Sequence, residues 1–243
     1  MKILKTIFFL FVIQTGLTSA QTADEVIAKN IQATGGKEKL ASFQSMKMTS
    51  FLDMQGMKLP IITTVVNNKS VRAEVTFQGM TQISVLDGES GWYISPFQGK
   101  TEPEKMNQEM IKENKEQSDL AGPLFNYKEK GNKVELVGKE EMEGTDVFKL
   151  KITKPSGDVA YQFIDASSYI VLKETKKQKF QDKETESETL FSNYKLVDGI
   201  NFPFTVEIRE AGANSGQILT VENVEVNPKV DPTIFKMPEA AKK

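Results

Sequence analysis

From Phe43 onward, apolar and polar residues alternate along the chain with a period of two. This period is typical of strands that bury one face of a sheet and leave the other in water. The longest alternating set has the apolar residues Ile200, Phe202, Phe204, Val206 and Ile208. Two shorter sets have the apolar residues Val71, Ala73, Val75 and Phe77, and Phe148, Leu150 and Ile152. The pattern therefore predicts a protein that is mainly β, with few helices.

Short turn signals separate these strands, among them Asn67-Asn68-Lys69, Asp87-Gly88, Pro155-Ser156-Gly157-Asp158 and Asp198-Gly199. Connections this short join neighbouring antiparallel strands, because parallel strands need long crossovers. About eleven strand candidates fall between residues 44 and 227, which is many for a flat open sheet. The sequence predicts a curled, barrel-like antiparallel sheet.

Two helices are predicted beside the sheet. Thr22 and Glu25 have the spacing of a capping box, and the helix that follows ends at Gly35-Gly36. A second helix is predicted from Pro103 to Leu120, inserted between strands, with proline in its first turn. Glu102 and Glu104 would lie near its positive end. Its apolar stripe consists of Met106, Met110 and Ile111.

Residues 1–20 have the three parts of an export signal: Lys2 and Lys5, an apolar stretch, and small residues at Thr18 and Ala20. We expect cleavage after Ala20, a mature chain that begins at Gln21, and a periplasmic location. The apolar run is too short and too interrupted for a retained anchor. About 220 mature residues suffice for one core, so residues 21–243 are predicted to form a single domain.

The composition argues against an enzyme. The chain has no histidine and no cysteine, which removes the usual general base, thiol nucleophiles and the common zinc ligands. No phosphate-binding, dinucleotide-binding or nucleophile-elbow motif occurs. We therefore predict no catalytic residues, no metal site and no cofactor. The 31 basic and 33 acidic residues are interspersed, which argues against nucleic-acid binding.

Two features leave alternatives open. The basic run from Lys173 to Lys179 suits either an anionic headgroup or the lysine-protected edge of a long strand, and the second reading is favoured. The methionines, which include Met46, Met48, Met54, Met57 and Met80, suit either ordinary core packing or a surface that adapts to variable apolar ligands.

Several short motifs resemble the LolA family of periplasmic lipoprotein carriers. The first is Asp87-Gly88, followed by Trp92 and then Pro96-Phe97, ahead of the inserted helix. Three more occur later in the chain: Phe163-Ile164-Asp165-Ala166 with Val171-Leu172-Lys173, Val197-Asp198-Gly199-Ile200-Asn201-Phe202-Pro203, and Asp231-Pro232-Thr233-Ile234-Phe235. The resemblance implies a half-open antiparallel barrel whose mouth is closed by helices over an apolar cavity for acyl chains.

One family feature is altered in this chain. The family has an arginine, followed shortly by an aromatic residue, on the strand before the tryptophan turn, and this arginine is thought to hold the lid helices shut. Counted back from Asp87-Gly88, its position falls on Asn68 or Lys69, and Arg72 lies about where the aromatic residue would be. A different closing device is therefore expected.

The resemblance implies a carrier that takes lipoprotein acyl chains, or other lipid, from an inner-membrane transporter to an outer-membrane acceptor. We expect it to act as a monomer. The alternative is a lipid-sensing or regulatory module of the same fold that docks on a membrane-anchored partner. The residues predicted to line or cover the apolar cavity are Val75, Phe77, Trp92, Met106, Met110, Phe148, Leu150, Phe202 and Phe204.

Overall fold

The computed structural model of the protein describes residues 21–54, 56–180 and 183–239. The predicted export signal, residues 1–20, lies outside the described residues. No helix in the described part of the chain combines the length and the apolar character needed to cross a bilayer.

Strands make up most of the described chain. They are β1 (Ser45–Met54), β2 (Met57–Val66), β3 (Ser70–Phe77), β4 (Met80–Asp87), β5 (Ser90–Ser95), β6 (Lys100–Lys105), β7 (Lys133–Met142), β8 (Thr145–Thr153), β9 (Val159–Asp165), β10 (Val171–Phe180), β11 (Lys183–Val197), β12 (Ile200–Glu210) and β13 (Gln217–Val226).

All thirteen of these strands form one antiparallel sheet in the order β6-β5-β4-β3-β2-β1-β13-β12-β11-β10-β9-β8-β7. Each strand pairs with its neighbours in the chain as a hairpin, except at β6 and β7. The first and last strands, β1 and β13, also pair with each other and so join two meanders. β6 and β7 lie at opposite edges and do not pair with each other, so the curled sheet stays open. The predicted fold class, a half-open antiparallel barrel with a few helices, is confirmed.

Three α-helices accompany the sheet in the described residues: α1 (Ala23–Thr34), α2 (Lys37–Ala41) and α3 (Gln108–Ser118). The predicted capping box is present, because Thr22 Oγ1 accepts from the Glu25 backbone and Glu25 accepts from the Thr22 backbone. α1 ends at Gly35, whose φ of 154° brings its backbone close to the start of β12. A side chain at residue 35 would collide with the Gly199 carbonyl oxygen.

The inserted helix is shorter than predicted. Pro103 and the adjacent Glu102 and Glu104 belong to β6 and not to a helix. β6 is an edge strand, where a proline is tolerated because no partner needs its missing N–H. The helix begins after Asn107, whose Oδ1 accepts from the Met110 backbone N–H at 2.9 Å.

The basic run from Lys173 to Lys179 lies on β10. Residues Lys173 to Lys176 pair with both β9 and β11, so the edge-protection reading is wrong for this half of the run. Lys177 to Lys179 pair with β11 alone, as the edge-protection reading expects. Lys173 instead lies over the ring of Phe163, with its Nζ 4.3 Å from the ring centroid. Its Nζ also lies 3.5 Å from a carboxylate oxygen of Glu188. At this lysine the run covers apolar surface and pairs with an acid of the next strand.

The two faces of the sheet carry different neighbours. Val85 and Leu86 are adjacent in β4 and therefore point to opposite faces. Leu86 packs with Met106 and Ile111 beside α3, whereas Val85 packs with Trp92 and Phe235 near the chain's carboxyl end. We call the helix-bearing face the inner face and the opposite one the outer face.

Candidate functional site

One end of the inner face is covered by the helices and forms a filled core. α1 contributes Val26 and Ile27, α2 contributes Leu40, and the loop after α3 contributes Leu124 and Phe125. These side chains pack against buried strand residues, namely Phe148, Leu150, Ile152, Ile164, Ile200, Phe202 and Phe204. We call this region the covered end.

The inner face continues beyond the helices along β1 to β4. Ile61 of β2 lies opposite Val75 of β3, and Phe77 lies opposite Met80 of β4. Ile61, Val75 and Phe77 are only half-buried, and Met80 is exposed. Met54 and Met57, at the tip of the β1–β2 hairpin, are exposed as well. We call this region, from Ile61 and Val75 to the hairpin tips, the open end.

A cavity of about 300 Å³ lies beside the covered end, among α1, the loop after α3 and strands β9 to β12. Its apolar lining includes Leu124, Val171, Phe191, Ile200 and Phe202. Its volume is at the lower end of the roughly 300–1,000 Å³ typical of ligand sites. It is large enough for part of an acyl chain.

Polar side chains enter the same cavity at a few points. Gln162 is buried, and its Nε2 donates to Glu174 Oε2 at 2.8 Å. Tyr194 donates its hydroxyl proton to the Val171 carbonyl at 2.6 Å, and burial raises the pKa of this phenol. A mainly apolar wall with a few fixed polar groups is the usual composition of a small-molecule site.

The helix α3 lies across the inner face as a lid. Met106 and Ile111 are buried against Val65, Val71 and Leu86, and Met110 packs at the margin of this cluster. The lid also contacts the half of the sheet that contains β8 and β9. Lys112 Nζ lies 2.6 Å from Asp158 Oδ2, in the β8–β9 turn. This hydrogen bond is the main cause of a raised pKa for Lys112 and a lowered pKa for Asp158.

The lid is fastened at its carboxyl end by the β2–β3 turn. The Asn68 backbone N–H donates to the Ser118 carbonyl at 2.8 Å, and the Leu120 backbone N–H donates to Asn67 Oδ1 at 3.1 Å. Asn68 is one of the two positions, with Lys69, where the resemblance places the closing arginine of the family. The turn therefore contacts the lid without an arginine, through a backbone group and an amide side chain.

A larger cavity of about 610 Å³ lies on the outer face, under the segment from Pro228 to Pro238. Arg72 Nη1 donates to the Ile234 carbonyl at 2.8 Å, and Trp92 Nε1 donates to the Phe235 carbonyl at 2.9 Å. These donors hold the segment's backbone over the outer face, so the carboxyl-terminal segment itself forms one wall of this cavity. We place the candidate ligand site on the inner face.

The nine residues predicted for the site fall into four places. Phe148, Leu150, Phe202 and Phe204 lie in the covered end, and only Phe202 of these also lines the inner cavity. Val75 and Phe77 lie in the open end, whereas Met110 belongs to the lid helix and Met106 just precedes it. Trp92 is separated from the others, because it packs on the outer face.

Sequence reasoning missed Gln162, Tyr194 and Asn67. The signal for Gln162 would have been a polar residue at an inward position of a strand. The two residues that follow it, Phe163 and Ile164, are both apolar, so the alternation that tells inward from outward positions cannot be followed there. Among the described residues, no three acidic side chains group as metal ligands.

Comparison with solved structures identifies the fold. A LolA superfamily protein from Nitrosomonas europaea superposes with a TM-score of 0.58 at 14% identity, over 89% of this chain and 98% of that one. The protein described here has a LolA-like fold. A domain described as an outer membrane lipoprotein-sorting protein, from Vibrio parahaemolyticus, matches with a TM-score of 0.54 at 15% identity, over 87% and 94% of the two chains.

A third structural neighbour is a DUF1329 family protein from Desulfovibrio piger, with a TM-score of 0.58 at 12% identity over 89% of this chain and 98% of that one. No protein-family model and no curated protein matches the sequence. The LolA-like fold therefore rests on structure, and the suspected resemblance is confirmed at that level.

Proposed function

We propose that this protein is a periplasmic carrier that binds the acyl chains of lipoproteins on its inner face and moves them toward the outer membrane. It is exported by residues 1–20, acts as a single-domain monomer, receives its cargo from an inner-membrane transporter and delivers it to an outer-membrane acceptor. It acts by binding and not by catalysis.

The observation that carries this proposal is the open end of the inner face. Ile61, Val75 and Phe77 are half-buried and form apolar surface that no α-helix covers, although the exposed Phe97 ring packs against Phe77 at its margin. In a monomer, a continuous apolar surface of this kind typically marks a ligand or partner site. The LolA-like fold and the lipoprotein-sorting description of the Vibrio parahaemolyticus domain support acyl chains as the ligand.

The physical demand on a carrier is shielding that can be reversed. Each methylene removed from water contributes about 0.8 kcal/mol, so two methylenes change the affinity by roughly 15-fold. A long chain would be held too tightly to leave if it were enclosed on every side. An open sheet with a lid that is fastened by a few hydrogen bonds and ion pairs meets both demands.

Two neighbouring isoleucines provide the test, because Ile61 points to the inner face and Ile62 lines the outer cavity. We expect Ile61→Glu to weaken binding of a fluorescent fatty acid at least tenfold, since a carboxylate would lie where the chain must pass. Ile62→Glu, on the same strand, should leave binding within about threefold of wild type. The opposite result would place the ligand on the outer face and contradict the proposal.

Transfer separates a carrier from a regulatory module that only senses lipid. Purified mature protein would be mixed with vesicles that contain a labelled diacylated lipopeptide and with unlabelled acceptor vesicles. A carrier speeds the movement of label between the two populations in proportion to protein concentration. Binding without any acceleration of transfer would overturn the carrier role and leave the regulatory alternative.

A further inference from the structure

The side-chain amide of Gln162, beside the inner cavity, has a hydrogen-bond partner for its nitrogen but none for its oxygen. Gln162 lines this cavity and is 6% exposed, and its Nε2 donates to Glu174 Oε2. Its Oε1 is buried and, among the described residues, is the one buried side-chain polar atom with no hydrogen-bond partner. Buried polar atoms almost always have partners, since leaving one without a partner destabilises the protein.

The neighbouring strand determines the orientation of the Gln162 amide. Glu174 on β10 lies opposite Gln162 on β9, and a carboxylate can only accept hydrogen bonds. The amide therefore turns its NH₂ group toward Glu174. Its oxygen is at the other end of the amide, buried just behind the cavity lining to which Gln162 contributes.

Four polar side chains that line the cavity each donate a hydrogen bond to the backbone of its wall. The side chains of Asn30, Thr34, Tyr194 and Asn201 all donate to backbone carbonyls, which belong to Tyr169, Asn30, Val171 and Ala33 respectively. Each of these bonds is between 2.6 and 2.9 Å long. These bonds fix the wall of the cavity, whereas the buried Gln162 oxygen beside it has no donor of its own.

The acidic side chain of Glu174 limits which ligand groups can lie near Gln162. Glu174 is half-buried on the same face, next to the Gln162 amide. A ligand carboxylate or phosphate placed here would face a like charge in surroundings that screen it poorly. A neutral donor, such as a hydroxyl or an amide N–H, meets the unpartnered oxygen without that repulsion.

We propose that the inner cavity selects acyl chains that carry a neutral hydrogen-bond donor, and that Gln162 Oε1 accepts from it. The donor is the hydroxyl of a hydroxylated acyl chain or the N–H of an amide-linked one. This proposal rests on the proposed function and specifies its ligand. Gln162 is the specificity-determining residue, and the surrounding apolar wall holds the chain.

The test compares three uncharged ligands with the same chain length: methyl tetradecanoate, methyl 3-hydroxytetradecanoate and N-methyltetradecanamide. Each would displace a fluorescent fatty acid from the mature protein. We expect at least one donor-bearing ligand to bind about tenfold tighter than the plain ester, because only it satisfies the buried oxygen. A preference for the hydroxy ester or for the amide shows whether the site binds a hydroxyl or an amide N–H donor.

The decisive variant is Gln162→Leu, which removes the acceptor and keeps a side chain of similar size. The donor preference should fall to within about twofold, while the plain ester binds at least as tightly as it does to wild type. Gln44→Leu is the control, because Gln44 is an exposed glutamine just before β1, outside both the cavity and the open end. This control should keep the full preference. If Gln162→Leu does not fold, the flexible side chain of Gln162→Met replaces it.

The outcomes separate this inference from the function on which it rests. Equal affinity of wild type for the three ligands would overturn the role of Gln162 and leave acyl binding intact. A donor preference that survives in Gln162→Leu would place the recognition elsewhere and overturn it as well. Failure of all three ligands to bind wild type would instead count against the carrier proposal itself.

Discussion

The covered end and the open end of the inner face are built from the same alternating strands but have different environments. Leu150 and Ile152 are fully buried beneath α1, whereas Val75 and Phe77 occupy equivalent inward positions and remain half-buried. The difference comes from what lies on the sheet and not from the strands. An inward apolar residue is therefore a core residue where a helix covers it and a candidate ligand contact where none does.

The largest expected effect comes from placing a carboxylate at each end. Leu150→Glu buries an uncompensated charge in the covered end, which costs several kcal/mol and should unfold the protein or lower its melting temperature severely. Phe77→Glu should keep the fold, because a half-buried carboxylate at the open end stays hydrated. It should weaken acyl-chain binding at least tenfold.

Circular dichroism melting and fatty-acid displacement on both variants provide the check. The distinction between the two ends would break down if Leu150→Glu were folded and defective only in binding, since Leu150, which does not line the inner cavity, would then be a ligand contact and not core. It would also break down if Phe77→Glu bound normally.

A smaller effect is expected at the lid that divides the two ends. Asn67→Ala removes the acceptor for the Leu120 N–H, which should cost about 1 kcal/mol of stability and loosen the end of α3. Ligand dissociation, followed by stopped-flow fluorescence, should become a few-fold faster. Asn67→Asp keeps an acceptor oxygen and serves as the control. An unchanged dissociation rate in Asn67→Ala would mean that this turn does not control the lid.

The smallest effect concerns acid stability of the covered end. Burial opposes ionisation of Asp165, but hydrogen bonds from Ser167 and Ser168 outweigh it and lower its pKa to about 2. Because this folded-state pKa lies below the ordinary value of 3.8, ionised Asp165 stabilises the fold above about pH 4. That contribution is lost as the pH falls toward 2.

The turn that Asp165 holds also anchors α1, since Asn30 Nδ2 donates to the Tyr169 carbonyl. Asp165→Asn should therefore show a flatter loss of stability between pH 4 and pH 2 than wild type. The measurement is urea unfolding at a series of pH values. Parallel curves for the two proteins would show that this carboxylate has no part in the acid response.

Period-two alternation predicted the antiparallel sheet and which side chains of β3, β8 and β12 point inward. It did not predict which inward residues are covered, because coverage depends on α1, α2 and the loop carrying Leu124 and Phe125, which are distant in sequence. The nine predicted site residues therefore mix core residues of the covered end with residues of the open end.

Two further differences have local physical reasons. The segment around Pro103 has the start signals of a helix, yet pairing with β5 makes it an edge strand, and no single-sequence signal reports that pairing. Trp92 was grouped with the cavity because it lies within the family-like motif. The adjacent pair Val85-Leu86, apolar on both faces, concealed that Trp92 pairs with Val85 and points outward.

Photo-crosslinking with a diazirine-bearing fatty acyl probe tests most directly whether the open inner face binds acyl chains. Mass mapping of the labelled mature protein should place the probe on the inner face, at residues such as Leu59, Ile61, Val75 and Phe77, and an excess of unlabelled fatty acid should remove the label. Label concentrated around Trp92, Lys229 and Val230 would put the ligand in the outer cavity. That result would contradict the assignment of the ligand to the inner face.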